Sequence, residues 1–464
     1  MNKFRKNHFQ ILLHSPTLTK VEANGKQNVP HRRAILKIKI YSAELKNFAQ
    51  LWQMNKLSYL LILVGIWQIQ TSCAQSKINA AKNTKILTGA DQTESYFPKL
   101  KGINVAIFAN PTSVISKTHL LDTLMSSKIN VVTIFGPEHG FRGKADAGEH
   151  VNNDVDAKTG IPVISLYGDH KKPTSADLKN VDVMIFDIQD VGVRYYTFIS
   201  SLQYYMEAAI ENEKELIILD RPNPNGFYVD GPVLDTAFKS FVGMQPVPIV
   251  YGMTIGEYAK MLLGERWLNK HCFPIPSNSK FKITIVPCKN YTHDSKYELP
   301  VHPSPNLKEI QSIYLYPSIC FFEGTVMSEG RGTDKPFQIF GHPTLPSNLF
   351  SFTPKPNDGA KSSKCFNQIC YGWNVSGSKE DVLKSIDSKI QIKYLLEAYK
   401  LFPGKDSFFL KNNFFNKLAG NDILMQQIKS GKSETEIRKS WEPGLATFKA
   451  IRKKYLLYKD FKQD

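Results

Sequence analysis

Five short apolar runs, each closed by a polar, turn-forming segment, constrain this chain more than any other feature. They are Asn104–Ala109, Asn130–Phe135, Pro162–Leu166, Val181–Asp187 and Leu216–Asp220. Each is rich in Val, Ile and Phe with little polar alternation, as in strands buried on both faces. Helical stretches separate them. The clearest runs from Thr197 to Glu213, where Phe198, Leu202, Tyr205, Met206, Ala209 and Ile210 share one face. This alternation predicts an α/β domain built on a parallel sheet.

The segments after these strands carry the chemistry: Asn110-Pro-Thr-Ser, Gly136-Pro-Glu-His-Gly-Phe-Arg-Gly, Tyr167-Gly, Ile188-Gln-Asp-Val-Gly-Val-Arg-Tyr-Tyr and Asp220-Arg-Pro-Asn-Pro-Asn-Gly. Ligands of open α/β sheets bind beyond the carboxyl ends of the strands, so these loops are expected to converge on one site. Past Gly231 the regularity fades, although Thr254–Leu268 reads as an amphipathic helix and Phe281–Val286 as a strand. From Pro300 to Pro346 the chain is rich in Pro and Gly, read as a long functional loop region. Ser433-Glu-Thr-Glu436 is a capping box that opens a closing helix. The domain boundary is expected near residue 245, separating residues 77–245 from a smaller α+β domain over 246–464.

The formal charge of +17 invites a nucleic-acid reading, but its distribution argues against one. Eleven of the 59 Lys/Arg and only two of the 42 Asp/Glu fall before residue 75, which leaves a net of +8 on the rest. The early excess surrounds a targeting segment. From Met54 the chain reads Met-Asn-Lys, an apolar run from Leu57 to Trp67, then a small-residue zone ending Ser72-Cys73-Ala74, the layout of a secretory signal too short to span a bilayer. Cleavage after Ala74 or lipidation of Cys73 both fit, so the expectation is an exported protein of the periplasm or cell envelope, secreted or lipid-anchored. Residues 1–53 then read as an upstream extension without structure of its own. The five later cysteines have no zinc-knuckle spacing, and only Cys365 and Cys370 are placed to bridge locally.

Glu138 stands between Pro137 and His139, flanked by glycines, directly after a strand. Burial of a carboxyl on such a loop favours its protonated form and suits it to general-acid catalysis, whereas a helix-capping role is the bland alternative. Arg142 follows as an anion clamp. His139 and His150 with nearby carboxylates lack compact metal spacing, so neither metal nor other cofactor is expected. Gln189, Asp190, Arg194 and Tyr195 lie at a strand end where polar groups grip hydroxyls and tyrosine stacks on a sugar; Asp190 with Arg194 reads equally well as a structural ion pair. Asp220 and Arg221 are contact candidates, and Asn223 belongs to a turn that serves either ligand or architecture. Glu323, Glu329 and Arg331 share the glycine-rich stretch, and two carboxylates across a cleft are what most glycoside hydrolases need. Ser430-Gly-Lys-Ser433 lacks the upstream glycine of a phosphate-binding loop, and no nucleophile elbow is present.

Taken in order, Phe135-Gly-Pro-Glu-His-Gly-Phe-Arg-Gly143, Ser165-Leu-Tyr-Gly168, Phe186-Asp-Ile-Gln-Asp-Val-Gly192, Leu219-Asp-Arg-Pro-Asn-Pro224, Pro303-Ser-Pro-Asn306 and Glu329-Gly-Arg-Gly-Thr333 resemble the NamZ-type exo-β-N-acetylmuramidases over roughly residues 85–460. The resemblance implies a Rossmann-like domain, a smaller C-terminal domain, a cleft between them, and release of N-acetylmuramic acid from the non-reducing end of peptidoglycan fragments. It implies Glu138 as catalytic acid and places Glu329 in the second glutamate motif, as partner or as orienter of the substrate's acetamido group. His139 and Asn306 fall in the same blocks as substrate contacts. The lactyl carboxylate of muramic acid gives Arg142, Arg194 or Arg331 a purpose. Asn110-Pro-Thr-Ser113 and Val301-His-Pro303 depart from the family pattern, which bears on subsite preference.

Overall fold

The computed structural model describes residues 85–138, 140–141 and 153–462. The signal-like segment, Cys73, the upstream extension, His139, Arg142 and His150 lie outside the described residues.

Helix α1 (Thr93–Leu100) precedes strand β1 (Asn104–Ala109), a small hairpin of β2 (Val114–Ile115) and β3 (Thr118–His119), helix α2 (Leu120–Ser126) and strand β4 (Asn130–Gly136). Then come β5 (Asp154–Val155), β6 (Pro162–Ser165), β7 (Val183–Asp187), α3 (Phe198–Glu211), β8 (Glu215–Leu219), α4 (Ile255–Gly264) and β9 (Ile283–Val286). The main sheet has the order β5-β6-β4-β1-β7-β8-β9, parallel throughout except for edge strand β5. The chain builds outward from β1 through β4 to β6, then returns to the other side of β1 and continues through β7. The direction of winding therefore reverses between β1 and β7.

Strand alternation sorts the core. Phe108, Phe135, Phe186 and Ile218 face α3 and the C-terminal half, and Ile107, Ile134, Ile185 and Ile217 face α1 and α2. Each such side chain contributes about 1.5–3 kcal/mol by leaving water. All five expected strands are present, with Val183 rather than Val181 opening β7.

The remainder comprises α5 (Ile310–Ile319), β10 (Ile339–His342), β11 (Phe350–Phe352), β12 (Cys370–Asn374), α6 (Lys379–Ile386), α7 (Lys393–Leu401), α8 (Phe414–Ala419), α9 (Ile423–Lys429) and α10 (Glu434–Lys453). Strands β10, β12 and β11 form a separate antiparallel sheet in that order, giving the α+β character expected of this half. Ser433 caps α10 through the expected reciprocal box. The stretch from Pro300 to Pro346 is not all loop, because it holds α5 and β10. Helix α5 is apolar nearly all round and its residues 312–319 are buried, so it shows no helical stripe and carries Pro317 besides. The five cysteines of the described chain are free thiols.

Candidate active site

Strand β4 delivers Glu138. Its last residue is Gly136, and the chain then turns so that Gly140 N–H donates to the Pro137 carbonyl at 2.9 Å. Gly140 has φ +76°, a left-handed geometry that glycine takes without steric cost. The Glu138 carboxylate is held from two sides. Tyr167, just past β6, donates its hydroxyl to Oε1 at 2.9 Å, and the Thr197 hydroxyl approaches Oε2 at 3.4 Å. Thr197 opens α3 at φ +66°, an unusual conformation for a β-branched residue.

These groups line a cavity of about 510 Å³, inside the range of roughly 300–1,000 Å³ typical of small-molecule sites. The C-terminal half supplies Ser304, Tyr316, Glu323, Arg331 and Phe337 to it. Arg331 Nη2 meets Glu323 Oε1 at 2.7 Å, and its Nε lies 3.3 Å from Glu329 Oε1. Burial by itself lowers the basicity of the Arg331 guanidinium, but the fields of Glu323 and Glu329 outweigh it and leave the group raised. Glu323 and Arg331 keep about a fifth of their side-chain surface exposed, whereas Glu329 keeps 4% and is also paired with Lys364 at 2.8 Å. Glu323 thus lines the cavity, whereas Glu329, which the sequence pairs with Glu138, is enclosed beside Arg331 and Lys364.

The expected convergence of the strand-end loops is partial, because the segment after β1 does not line the cavity. At the reversal between β1 and β7 the crevice is filled by the chain itself: Ser113 Oγ donates to the Asp187 carbonyl, and Gln189 N–H donates to Thr112 Oγ1 at 3.1 Å. Asn110, Thr112 and Ser113 are all buried. Among the described residues, the connections after β4 (Glu138), β6 (Tyr167, Gly168, Lys171), β7 (Tyr195, Tyr196, Thr197) and β8 (Phe241, Val242) reach the cavity.

Several expected contact residues are consequently structural. Arg221 pairs with Asp187 through Nε at 2.6 Å and Nη2 at 2.9 Å, fully enclosed. Asp220 accepts from Thr254, from Gly256 N–H and from Tyr458. Asn223 donates to the Met253 carbonyl, Gln189 to the Asp190 and Pro222 carbonyls, and Asn306 to the Gly359 carbonyl. Arg194 donates to the carbonyls of Leu418 and Ala419 at 3.0 Å, and burial lowers its pKa to about 10. No ion pair joins it to Asp190, whose carboxylate instead accepts from Gly192 N–H and Tyr251; burial pushes Asp190 up to about 6 against those bonds. Tyr195 belongs to the cavity wall, but its hydroxyl is spent on the Pro317 carbonyl and its ring packs edge-on to Tyr316.

Tyr167, Lys171, Phe241 and Tyr316 line the cavity without having been singled out as contacts. Tyr167 alone carried a signal, since it follows a strand directly. No cluster of three or more His, Cys, Asp or Glu able to hold a metal occurs among the described residues.

Comparison with known proteins agrees with this architecture. The family described as exo-beta-N-acetylmuramidase NamZ matches in its N-terminal part over residues 105–311 and in its C-terminal part over 314–458. The peptidoglycan beta-N-acetylmuramidase NamZ of Bacillus subtilis is 38% identical over 417 residues, covering 86% of this chain and 97% of that protein. Crystal structures of two DUF1343 family proteins from Bacteroides fragilis superpose with TM-scores of 0.72 and 0.67 at 47% and 29% identity, each covering 81% of this chain and all of theirs. The chain therefore belongs to the NamZ exo-β-N-acetylmuramidase family in both its N-terminal and its C-terminal part.

Proposed function

We propose that this chain is an exo-acting glycoside hydrolase that releases N-acetylmuramic acid from the non-reducing end of peptidoglycan fragments. The observation that carries the reading is Glu138, fixed at a strand end by Tyr167 and Thr197 and facing a saccharide-sized cavity. Hydrolysis needs a proton on the departing glycosidic oxygen and an anion near the ring as positive charge develops at the anomeric carbon. Glu138 supplies the proton. Glu323, braced by Arg331, supplies the facing carboxylate. Water completes the reaction, its hydroxyl going to the anomeric carbon and its remaining proton restoring the acid.

The test is release of free N-acetylmuramic acid from a chromogenic β-muramide by the purified chain. Glu138→Gln keeps the shape and removes the proton, so kcat should fall about 10²–10⁴-fold with KM little changed. Near-normal turnover in that variant overturns the assignment. Export to the cell envelope is part of the proposal, supported by the signal-like segment at residues 54–74 and by a substrate that belongs to the wall. A mature N-terminus at Cys73 or Gln75 in envelope fractions is expected, and an unprocessed cytoplasmic chain counts against it.

A further inference from the structure

N-acetylmuramic acid differs from N-acetylglucosamine by the lactyl ether on carbon 3, whose carboxylate is the one charge on the sugar. A site selective for it needs a cation that its own protein has not already neutralised. Three arginines were candidates by sequence. Of the two within the described residues, Arg194 is enclosed and committed to backbone carbonyls, and Arg331 is held between two carboxylates.

The cavity has a second cation. Two successive lysines follow β6, and the fold sorts them differently. Lys172 turns to α3, where it meets Glu211 at 2.6 Å and Glu207 at 3.4 Å. Lys171 turns to the cavity wall, half-buried, and makes no hydrogen bond or ion pair among the described residues. Its Nζ lies 5.7 Å from the centre of the Phe241 ring. That ring packs 6.4 Å from the ring of Tyr167, whose hydroxyl holds Glu138. A chain of three contacts therefore places this cation on the same wall as the proposed acid. Carbon 3 is only two ring atoms from the anomeric carbon, so a sugar with its glycosidic oxygen at Glu138 has its lactyl group nearby.

We propose that Lys171 binds the lactyl carboxylate and sets the preference for muramic acid over glucosamine, with the Phe241 ring beside its ammonium group. The inference rests on the function proposed above. The experiment compares wild type, Lys171→Met and Lys171→Arg on a β-N-acetylmuramide and on the same substrate with its lactyl carboxyl methyl-esterified. Losing one charge-assisted contact should reduce kcat/KM for the acid substrate roughly 10- to 100-fold, mainly through KM. Lys171→Arg should recover most of it. On the ester, wild type should drop to the level of Lys171→Met, because the charge is already gone. If Lys171→Met still distinguishes acid from ester as wild type does, or if that distinction is lost in Arg331→Met but kept in Lys171→Met, the inference is overturned. Absence of any muramide hydrolysis by wild type instead refutes the proposed function, so the two failures are distinct.

Discussion

The Thr197 hydroxyl lies 3.4 Å from Glu138 Oε2 while Thr197 itself sits at φ +66°, at the head of a fourteen-residue helix. A β-branched side chain in that conformation costs about 1–3 kcal/mol and persists only where the surroundings enforce it. The strain is localised on the residue that steadies the acid. Thr197→Gly relieves it, at an entropic cost of about 0.5–1 kcal/mol from the freer unfolded chain. The melting temperature of Thr197→Gly is expected to equal or exceed that of wild type, while kcat falls about 3- to 10-fold through the lost neutral hydrogen bond. Calorimetry and steady-state rates on one preparation check both halves. A large drop in melting temperature means that the hydroxyl matters to the fold and not to Glu138.

The two glutamates around Arg331 should separate in their effects. Glu323 lines the cavity, so Glu323→Gln is expected to lower kcat by at least about 10²-fold with a small change in stability. Glu329 is enclosed between Arg331 and Lys364. Removing its charge leaves Arg331 with Glu323 and Lys364 with the Phe322 and Thr325 carbonyls, so Glu329→Gln should cost about 1–3 kcal/mol in a urea titration. Its remaining folded fraction should keep turnover within about tenfold of wild type. The reverse pattern, with Glu329→Gln stable and inactive, returns the second catalytic role to Glu329.

Asp190 gives stability a pH signature. Burial raises its pKa to about 6 from the usual 3.8, so the native state holds this proton more tightly than the unfolded chain does. Its contribution is full below about pH 4 and is lost as pH rises through about 6, a span worth up to about 3 kcal/mol. Asp190→Asn abolishes the titration. The variant should therefore compare less favourably with wild type at pH 4 than at pH 7, as measured by denaturant midpoints at both values. An equal difference at the two pH values contradicts the assignment.

The sheet was legible in the sequence because strands buried on both faces leave uninterrupted apolar runs, and α3 because its apolar stripe stands against polar neighbours. Helix α5 was not, since Ile313, Tyr314, Leu315 and Tyr316 are all buried and erase any stripe. In the site, the placement of Glu138 at the cavity was legible from a strand end and glycines alone. The errors share one cause. A polar residue after a strand can point up to a ligand or sideways into the next strand's end, and sequence shows its type without its direction. Arg221 has its partner, Asp187, at the end of the neighbouring strand, and complementary charges at adjacent strand ends are the signal that was there to find. Lys171 was hidden for the opposite reason, because a Lys-Lys pair in a loop looks like solvated surface.

The closure of the crevice between β1 and β7 bears on how the molecule breathes. With Ser113 bonded across to Asp187 and Thr112 to Gln189, the centre of the sheet has no gap to widen when a ligand arrives. A sugar is instead received by Glu138, Tyr167 and Lys171 after β4 and β6 and by Ser304, Tyr316 and Glu323 from the C-terminal half. The amide of Gln189, sealed under a hydroxyl, should be among the slowest to exchange with deuterium. The centre of the sheet is sealed by its own side chains, and Glu138 stands beside that seal just past the end of β4.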